Sequence, residues 1–419
     1  MHGNGIEQDI TRADAPPPAR LLDVTRLTSR AGRVLTGIDR VEAAWLDALL
    51  VEKTPLFGLA RVAGAYVLLD KFGLSTLRDR LVGGAPWGPV HPLFRLARKL
   101  APLQRRAQSD LWRAARARVP RPTLPLLLGR LPAGFVYINL GHTNLTPRVL
   151  GAVRKRPGAR VTVFLHDTIP LDFPHFQAEG VPARFRALLD TAAQADLILC
   201  NSTVTADDLR RHIPAPPPIQ VVPLGVTRTR PDPAALRPNL PPDRPYFLVT
   251  GTIEPRKNHA TLVSTWELLA SRLPPAEMPV LVIAGSRGWR NTDVFERLDS
   301  SALRGTHILE CEGLSDGALA ALTEGARACL FPSLAEGYGL PAAEAAAAGR
   351  PLACSDLPVL REILGDYPVY LPARDVYCWA AYIERMIAPG SESVSTSARS
   401  GQYRPMTWQG HFKAALKLS

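Results

Sequence analysis

The segment Phe331-Pro-Ser-Leu-Ala-Glu-Gly-Tyr-Gly-Leu-Pro-Ala-Ala-Glu344 decides the fold of this chain. Its apolar start predicts a strand over Ala328–Phe331, and the glycines that follow predict a turn. A helix over Pro341–Ala348 should come next, because proline suits the first helical position and glycine, here Gly349, the position after the last. The free N–H groups and the helix dipole at such a turn favour an anionic ligand.

Two carboxylates, Glu336 and Glu344, lie beside this predicted anion site. They would repel a bare phosphate, but an ionised carboxylate accepts hydrogen bonds from hydroxyl groups. A phosphate with hydroxyls on both sides describes a nucleotide sugar. The alternative is an exposed acidic loop that precedes a surface helix.

The segment resembles the signature of the retaining glycosyltransferases of family 4, the E-x7-E class with two Rossmann-like domains in the GT-B arrangement. The resemblance implies that Glu336 contacts hydroxyls of the donor sugar and that Glu344 binds the ribose hydroxyls. Four residues after Glu336 would contribute backbone amides to the sugar and the diphosphate: Gly337, Tyr338, Gly339 and Leu340.

A second segment, Tyr246-Phe-Leu-Val-Thr-Gly-Thr-Ile-Glu-Pro-Arg-Lys-Asn258, supports the same fold. It predicts a buried strand, a glycine turn and a helix from Asn258 to Leu269 with Asn258 as the N-cap. Arg256 and Lys257 follow a strand of a parallel sheet, where open α/β sheets bind their ligands. Two cations there can neutralise a departing diphosphate, although solvated Arg-Lys pairs after strands are also common.

The common family form has arginine directly after the glycine and lysine five residues later. In this chain Thr252 follows Gly251, Lys257 keeps its place, and Arg256 precedes it. The resemblance therefore assigns Gly251 and Thr252 to donor binding, and Arg256 and Lys257 to catalysis.

The composition favours a globular protein of two domains. The chain has 419 residues, of which 46% are hydrophobic and 21% charged, and this length gives ample core. We find no apolar run near the roughly 18 residues that a membrane span needs. Five scattered cysteines without a C-x-x-C pattern indicate reduced thiols, so we predict a cytoplasmic protein.

Predicted strands alternate with predicted helices along most of the chain, which indicates an α/β fold with two Rossmann-like domains and a cleft between them. The first strand is predicted at Leu21–Thr25, and a glycine loop over residues 30–40 leads to a helix at Val41–Leu50. Gly37 in this loop resembles the glycine that faces the donor diphosphate in the family. The predicted divisions are a disordered N-terminus over 1–20, an acceptor-side domain over 21–230, a linker over 231–245, a nucleotide-sugar domain over 246–400, and a helix within 401–419 that crosses back to the first domain.

His166 and Asp167 follow the predicted strand Arg160–Leu165, at the ligand edge of the first domain. The family resemblance extends to this His-Asp-x-Ile-Pro run, so His166 would contact the donor sugar while Asp167 orients the imidazole or meets the acceptor. A purely structural histidine is the alternative. Four further polar residues follow neighbouring strands as weaker candidates: His142, Asn144, Asn201 and Ser202, of which the last two would equally serve as an N-cap.

The chemistry of retention has two routes. A double displacement needs a carboxylate behind the anomeric carbon, whereas a front-face reaction passes the acceptor proton to the departing diphosphate. The family resemblance favours the second route. The chain contains no D-x-D pair and no G-x-G-x-x-G motif, so we expect neither a bridging metal nor a nicotinamide cofactor.

A strongly basic segment, Arg95–Arg121, carries nine cations and one acid, Asp110, within a chain of net charge +12. Leucine and aromatic residues between the cations give it an amphipathic pattern, which is typical of a surface that lies on an anionic membrane. A solvated helix on the first domain is the alternative. We recognise no nucleic-acid-binding module and expect no nucleic-acid partner.

Together these patterns predict a retaining, metal-independent hexosyltransferase that acts on a nucleoside-diphosphate sugar. The His-Asp-x-Ile-Pro and Glu-Pro-Arg-Lys-Asn variants are most similar to mannosyl-transferring members, so GDP-mannose is the first choice of donor over UDP- or ADP-sugars. The predicted acceptor is a glycan or lipid-linked saccharide of bacterial surface polysaccharide synthesis. A nucleotide-sugar 2-epimerase of the same fold and a non-catalytic nucleotide-sugar-binding protein are the alternatives.

Overall fold

A computed structural model describes residues 16–33, 35–389 and 403–418. Most of the N-terminal segment predicted to be disordered, and the Ser- and Gly-rich residues 391–401, lie outside the described residues. Among the described helices, none is both long and apolar enough to cross a membrane.

The strands form two sheets, and the predicted α/β fold class is confirmed. The first sheet has eight strands in the order β4-β3-β2-β1-β5-β6-β7-β8, and the second has six in the order β11-β10-β9-β12-β13-β14. The first sheet contains β1 Arg20–Asp23, β2 Leu56–Val62, β3 Ala65–Leu69, β4 Ala117–Pro120, β5 Val136–Asn139, β6 Arg160–Leu165, β7 Leu197–Cys200 and β8 Ile219–Val221. The second contains β9 Tyr246–Thr250, β10 Val280–Ala284, β11 Ile308–Cys311, β12 Ala328–Phe331, β13 Leu352–Ser355 and β14 Val369–Leu371.

The second sheet is parallel throughout, whereas the first has an antiparallel edge that our sequence analysis missed. β3 pairs antiparallel with both β2 and β4. β2 and β3 are buried on both faces for most of their length, so they lack the alternation of apolar and polar residues that indicates a half-buried strand. β4 ends at Pro120, which only an edge position tolerates because proline lacks the N–H that the ladder needs.

Helices cover both faces of each sheet. Around the first sheet they are Thr25–Ser29, Gly37–Val51, Lys71–Leu81, Pro92–Arg95, Pro102–Ala114, Leu124–Leu128, Pro147–Arg154, Ile169–Asp172, Val181–Ala192 and Thr203–His212. Around the second they are His259–Ala270, Thr292–Ser300, Asp316–Gly325, Leu340–Ala347, Pro358–Leu364 and Val376–Ile387, and the last described helix is Trp408–Leu418.

The helix Gly37–Val51 begins four residues before the predicted Val41, so Gly37 is its first helical residue and not a loop residue. The cause is a local cap. The backbone N–H of Thr36 donates a 2.8 Å hydrogen bond to the Asp39 carboxylate, which closes the first turn from its N-terminal side.

The helix Trp408–Leu418 packs on the first sheet's side of the molecule, although the chain reaches it after the second sheet. His411 is fully buried there: its Nε2 accepts a 3.0 Å hydrogen bond from the indole of Trp45, and its Nδ1 lies 2.8 Å from the carbonyl oxygen of Pro223. This arrangement fixes a neutral imidazole with the proton on Nδ1, because the carbonyl can only accept and the indole can only donate. Burial lowers the pKa of His411 to about 4.

We therefore expect acid to loosen this helix. Above pH 6.5 His411 is neutral whether the protein is folded or unfolded; between pH 6.5 and about 4 only the unfolded chain takes up the proton, so stability falls as the pH falls. The cost at pH 5 should be about 1–2 kcal/mol. Wild type should therefore lose more unfolding free energy between pH 7 and pH 5 than His411→Gln, which keeps an acceptor and a donor but cannot titrate. Equal losses in the two proteins would refute this role for His411.

Candidate active site

The carboxyl ends of β9 and β12 bring Glu336 together with two cations. The Nζ atom of Lys257 lies 2.5 Å from Glu336 Oε1, and a guanidinium nitrogen of Arg256 lies 3.0 Å from Oε2. Ser333 also donates a 2.6 Å hydrogen bond to the same carboxylate. Burial by itself would raise the pKa of Glu336, but the charges of Lys257 and Arg256 outweigh it and lower the pKa to about 2. Glu336 is thus an ionised, almost fully buried carboxylate.

Arg256 is shared between two acids. Its Nε lies 2.8 Å from Glu254, which sequence analysis passed over and which is 4% exposed. Burial raises the pKa of Glu254, against the opposing charges of Arg256 and Lys257. The signal in the sequence was the acid two residues before the Arg-Lys pair.

The glycine turn after β9 packs against the side chain of Lys257. Gly251 has a left-handed φ of 137°, and a Cβ atom there would lie 3.4 Å from the Cε of Lys257. Thr252 packs against Gly288: a Cβ atom on Gly288 would lie 2.6 Å from the methyl group of Thr252. The structure thus places Gly251 against the side chain of Lys257 and Thr252 against the backbone of Gly288.

Asn258 precedes the helix His259–Ala270 as predicted, but its side chain does not cap that helix, so this part of the prediction is wrong. The residue has a left-handed φ of 57°, and its amide donates instead to the carbonyl oxygens of Pro332 and Ala373. Asn258 therefore ties the turn after β9 to the turn after β12, which holds Arg256 and Lys257 against Glu336.

His166 lies across the cleft from this cluster, at the end of β6. Its Nε2 is 2.8 Å from the carbonyl oxygen of Leu140, so Nε2 carries the proton and Nδ1 is left as an acceptor. Burial, together with the neighbouring His142, lowers the pKa of His166 to about 3. His166 is a neutral imidazole throughout the physiological range.

The backbone of Gly337 packs directly against His166 and Asp167 of the first domain. A Cβ atom on Gly337 would lie 2.9 Å from Oδ2 of Asp167 and 3.0 Å from the carbonyl oxygen of His166. Burial raises the pKa of Asp167, although Arg256 opposes the shift. The His-Asp pair and the E-x7-E turn are therefore in direct contact, and only glycine fits between them.

The rest of the turn is anchored to the first sheet's side. Tyr338 is buried and donates a 3.0 Å hydrogen bond to the carbonyl oxygen of Leu224, so its side chain is structural and only its backbone remains for a donor. Gly339 has a φ of 84° and precedes the helix Leu340–Ala347. The side chain of Leu340 lies 4.0 Å from the position that a Cβ atom on Gly37 would take. The glycine turn before the helix Leu340–Ala347 and the predicted glycine loop around Gly37 are therefore in contact.

Glu344 has a partner that sequence analysis missed. Arg40, in the first turn of the helix Gly37–Val51, binds both Glu344 oxygens, at 2.6 and 3.2 Å. Both side chains are about a quarter exposed. Burial raises the pKa of Glu344 in spite of the arginine. The only hint in the sequence was a cation three residues after Gly37.

The four weaker candidates have structural hydrogen bonds. His142 Nε2 lies 3.0 Å from the carbonyl oxygen of Phe164, and Asn144 donates to the buried Asp23. Asn201 donates to the carbonyl oxygen of His166, and the hydroxyl of Ser202 caps the helix Thr203–His212. Asn201 thereby holds the His166 backbone in place.

The basic segment is divided among several elements and is not one amphipathic helix. It supplies the end of the helix Pro92–Arg95, the helix Pro102–Ala114 and the edge strand β4. Asp110 is buried and pairs with Arg113 and Arg80. The apolar side of the helix Pro102–Ala114 packs into the hydrophobic core of the first domain through residues such as Leu111. Much of the amphipathic pattern of the basic segment therefore reflects packing in this core.

Family models match most of the chain. The glycosyl transferases group 1 model matches residues 235–399, and the glycosyltransferase family 4 model matches residues 87–230. The chain belongs to the family 4 glycosyltransferases. The group 1 match contains Glu336, Glu344 and the Arg256-Lys257 pair, and the family 4 match contains His166.

Two curated relatives of this glycosyltransferase come from Escherichia coli. The serotype-specific mannosyltransferase WbdA is 30% identical over 262 residues, which cover 57% of this chain and 32% of the relative. The O-antigen chain mannosyltransferase B is 32% identical over 168 residues, which cover 39% of this chain and 42% of the relative. The matches thus span about a third to two-fifths of the length of these relatives.

A solved structure supports the fold over nearly the whole glycosyltransferase. The E. coli structure described as trehalose-6-phosphate bound with UDP-2-fluoro glucose superposes with a TM-score of 0.58 at 16% identity. The superposition covers 96% of this chain and 99% of that one. Both chains share the arrangement of two Rossmann-like domains.

Proposed function

We propose that this glycosyltransferase moves mannose from GDP-mannose, with retention of configuration, to a hydroxyl of a glycan or lipid-linked saccharide in surface polysaccharide synthesis. The observation that carries the proposal is Glu336, an ionised carboxylate held between Arg256 and Lys257 and opposite His166. The choice of mannose and of the acceptor class rests on the relatives, one of which is named a serotype-specific mannosyltransferase and the other an O-antigen chain mannosyltransferase.

The cation pair would bind the diphosphate. In the absence of donor, Glu336 neutralises Lys257 and Arg256; a diphosphate brings further negative charge that the same cations can share. As the bond between the anomeric carbon and the diphosphate oxygen breaks, its electron pair stays on that oxygen. Preorganised cations in a buried site stabilise this growing charge without having to reorient.

The sugar would lie between Glu336 and His166. Glu336 can accept hydrogen bonds from sugar hydroxyls, and the unprotonated Nδ1 of His166 can accept one more. The acceptor oxygen would form its bond to the anomeric carbon on the face that the diphosphate leaves, and its proton would pass to a diphosphate oxygen. The oxygens of Glu336 are already engaged by Lys257, Arg256 and Ser333, which disfavours Glu336 as the nucleophile of a double displacement.

Thermal protection by a panel of nucleotide sugars tests the donor class. A ligand that binds only the folded protein raises apparent stability by mass action, by about 2.7 kcal/mol at a hundredfold excess over Kd. We expect GDP-mannose and GDP to protect and UDP- and ADP-sugars to protect less. Protection by a UDP- or ADP-sugar alone would refute the choice of GDP-mannose.

Removal of divalent metal should leave activity largely intact. Arg256 and Lys257 supply the positive charge that a bridging metal supplies elsewhere, so EDTA should reduce the initial rate by less than about twofold, against the several kcal/mol that a catalytic metal contributes. Complete loss of activity in EDTA that magnesium or manganese restores would show that the cations are not sufficient.

We also propose that the protein acts at the inner face of the plasma membrane, with the exposed part of the basic segment on anionic lipid. Leu93 and Leu96 are 58% and 82% exposed. The exposed Arg95 lies between them, and the exposed Arg98 and Lys99 follow. Apolar side chains that insert between cations are typical of such surfaces. A lipid-linked acceptor would give this attachment a purpose.

Sedimentation with vesicles tests the attachment. We expect wild type to bind vesicles that contain anionic lipid and to dissociate as salt rises. Each exposed cation contributes about 1 kcal/mol, so replacing Arg95, Arg98, Lys99 and Arg106 by glutamine should release the protein. A control with the same charge change elsewhere replaces Arg228, Arg230, Arg404 and Lys413. Equal binding by both variants, or no binding of wild type at low salt, would contradict the proposal.

A further inference from the structure

A cavity of about 570 Å³ lies beside the turn that carries Arg256, and Pro255 and Asn258 of this turn line it. It falls within the roughly 300–1,000 Å³ of sites that bind small organic ligands. Its floor comes from Pro255, Asn258 and Leu334, and the backbone N–H of Leu334 donates a 2.7 Å hydrogen bond to the Arg256 carbonyl oxygen. The cavity therefore shares a wall with the proposed active site but contains none of its charged groups.

The cavity requires both halves of the molecule. Phe176 from the first domain closes one wall, and two hydrogen bonds cross to this segment: the indole of Trp289 donates to the carbonyl oxygen of Phe176 and Arg290 donates to that of Gln177. Arg290 has a left-handed φ of 50°, a conformation that costs energy in residues other than glycine and concentrates at functional sites. The contacts with residues 176 and 177 hold that strained turn in place.

Several polar groups of the lining lack a protein partner. The amide nitrogen of Asn291 is buried without a hydrogen bond, and buried donors normally have one. The Asn291 side chain also accepts no hydrogen bond from the first turn of the helix Thr292–Ser300. The N–H groups of that turn therefore have no side-chain cap from Asn291. Arg374 and Asp293 are exposed at the rim, and no hydrogen bond or ion pair joins either to another described side chain.

This mixture fits a saccharide better than a bare anion. The guanidinium of Arg374 and the carboxamide of Asn291 donate hydrogen bonds, and the carboxylate of Asp293 accepts them. Together the three groups can bind pairs of neighbouring sugar hydroxyls. Phe176, Leu334 and Val294 offer apolar contacts for the C–H groups of a hexose ring. Of the three arginines in the lining, Arg290 already donates to Gln177 and Arg297 pairs with Glu267. The charge of the third, Arg374, is offset by Asp293, and a phosphate alone would leave these apolar walls uncovered.

We infer that this cavity binds a mannose unit of the acceptor chain, at some distance along the chain from the hydroxyl that reacts. The inference rests on the proposed function for the identity of the sugar. Because Phe176 belongs to the first domain and the other lining residues belong to the second, a bound chain would contact both domains at once. The site would thus favour long acceptors over short ones.

Calorimetric titration with linear manno-oligosaccharides of one to five units tests the inference without turnover. We expect the longer oligosaccharides to bind wild type about tenfold or more tightly than methyl mannoside, the size of effect that one or two hydrogen bonds to charged groups provide. Arg374→Ala and Asp293→Asn should each remove most of this gain. Arg385→Ala, on the exposed side of the helix Val376–Ile387, is the matched control and should keep it.

Steady-state kinetics with GDP-mannose separates this inference from the proposed function. In the Arg374 and Asp293 variants KM for long acceptors should rise several-fold, with kcat and the KM of the shortest acceptor unchanged. Transfer with no dependence on acceptor length, or length dependence that both variants retain, would overturn the subsite alone. Length-dependent binding without transfer would support the subsite while refuting the donor or the reaction proposed. Equal affinity for all lengths in the titration would overturn the subsite whatever the kinetics.

Discussion

Lys257→Ala should lower kcat by about a hundredfold to a thousandfold, the cost of removing one preorganised group that stabilises transition-state charge. Donor affinity should change much less, because the charge on the leaving diphosphate grows only as the glycosidic bond breaks. The ammonium group lies 2.5 Å from Glu336, so its removal also leaves that buried carboxylate with Arg256 as its remaining cation. The measurement is a comparison of kcat and KM for GDP-mannose in the variant and wild type.

A control separates lost charge from a lost contact with Glu336. Ser333→Ala removes another hydrogen bond to the same ionised carboxylate but leaves both cations in place, and a hydrogen bond to a charged group contributes about 1.5–3 kcal/mol. Because Lys257 and Arg256 still provide the positive charge at the site, the kcat of Ser333→Ala should fall less than that of Lys257→Ala. A Lys257→Ala variant with normal kcat and only a raised KM would show that Lys257 binds substrate without stabilising the transition state.

Glu344→Ala should weaken GDP binding by about 1.5–3 kcal/mol, or roughly tenfold to a hundredfold, because hydrogen bonds between ribose hydroxyls and an ionised carboxylate are lost. Arg40 now holds that carboxylate from the other domain, so ribose binding must share or replace an existing contact. Titration calorimetry with GDP measures the effect directly.

The ribose itself provides the sharper comparison. A GDP analogue that lacks both ribose hydroxyls should bind wild type less tightly than GDP, and this difference should disappear in Glu344→Ala. Arg40→Ala keeps the carboxylate and should keep the difference. If Glu344→Ala preserves full discrimination between GDP and the analogue, Glu344 does not bind the ribose.

The core of the fold could be predicted because its signals are local. β6 and β12 have the predicted bounds, since each is a short, mostly apolar run, and a parallel sheet buries both faces of such runs. The sequence analysis did not predict that Glu336 pairs with Arg256 and Lys257, although both motifs follow strands of one sheet. Parallel topology brings such ends together.

The missing parts depend on contacts that no local pattern encodes. Arg40 reaches Glu344 across 304 positions of the chain, and the helix that carries Arg40 starts at Gly37 only because Asp39 caps it. Asn258 resembles an N-cap in sequence, yet its amide is drawn to two carbonyl oxygens of distant turns. Tyr338 lies inside the predicted donor loop, but its side chain is anchored at Leu224. In each case tertiary contacts override a local preference.

The most direct test of the account is transfer from GDP-α-mannose to a manno-oligosaccharide acceptor, followed by NMR of the purified product. We expect one added mannose with an α linkage, release of GDP, and at most a few per cent of this product from Lys257→Ala in the time that wild type needs for full conversion. A β linkage would contradict retention, and epimerised nucleotide sugar formed without any acceptor would contradict glycosyl transfer itself.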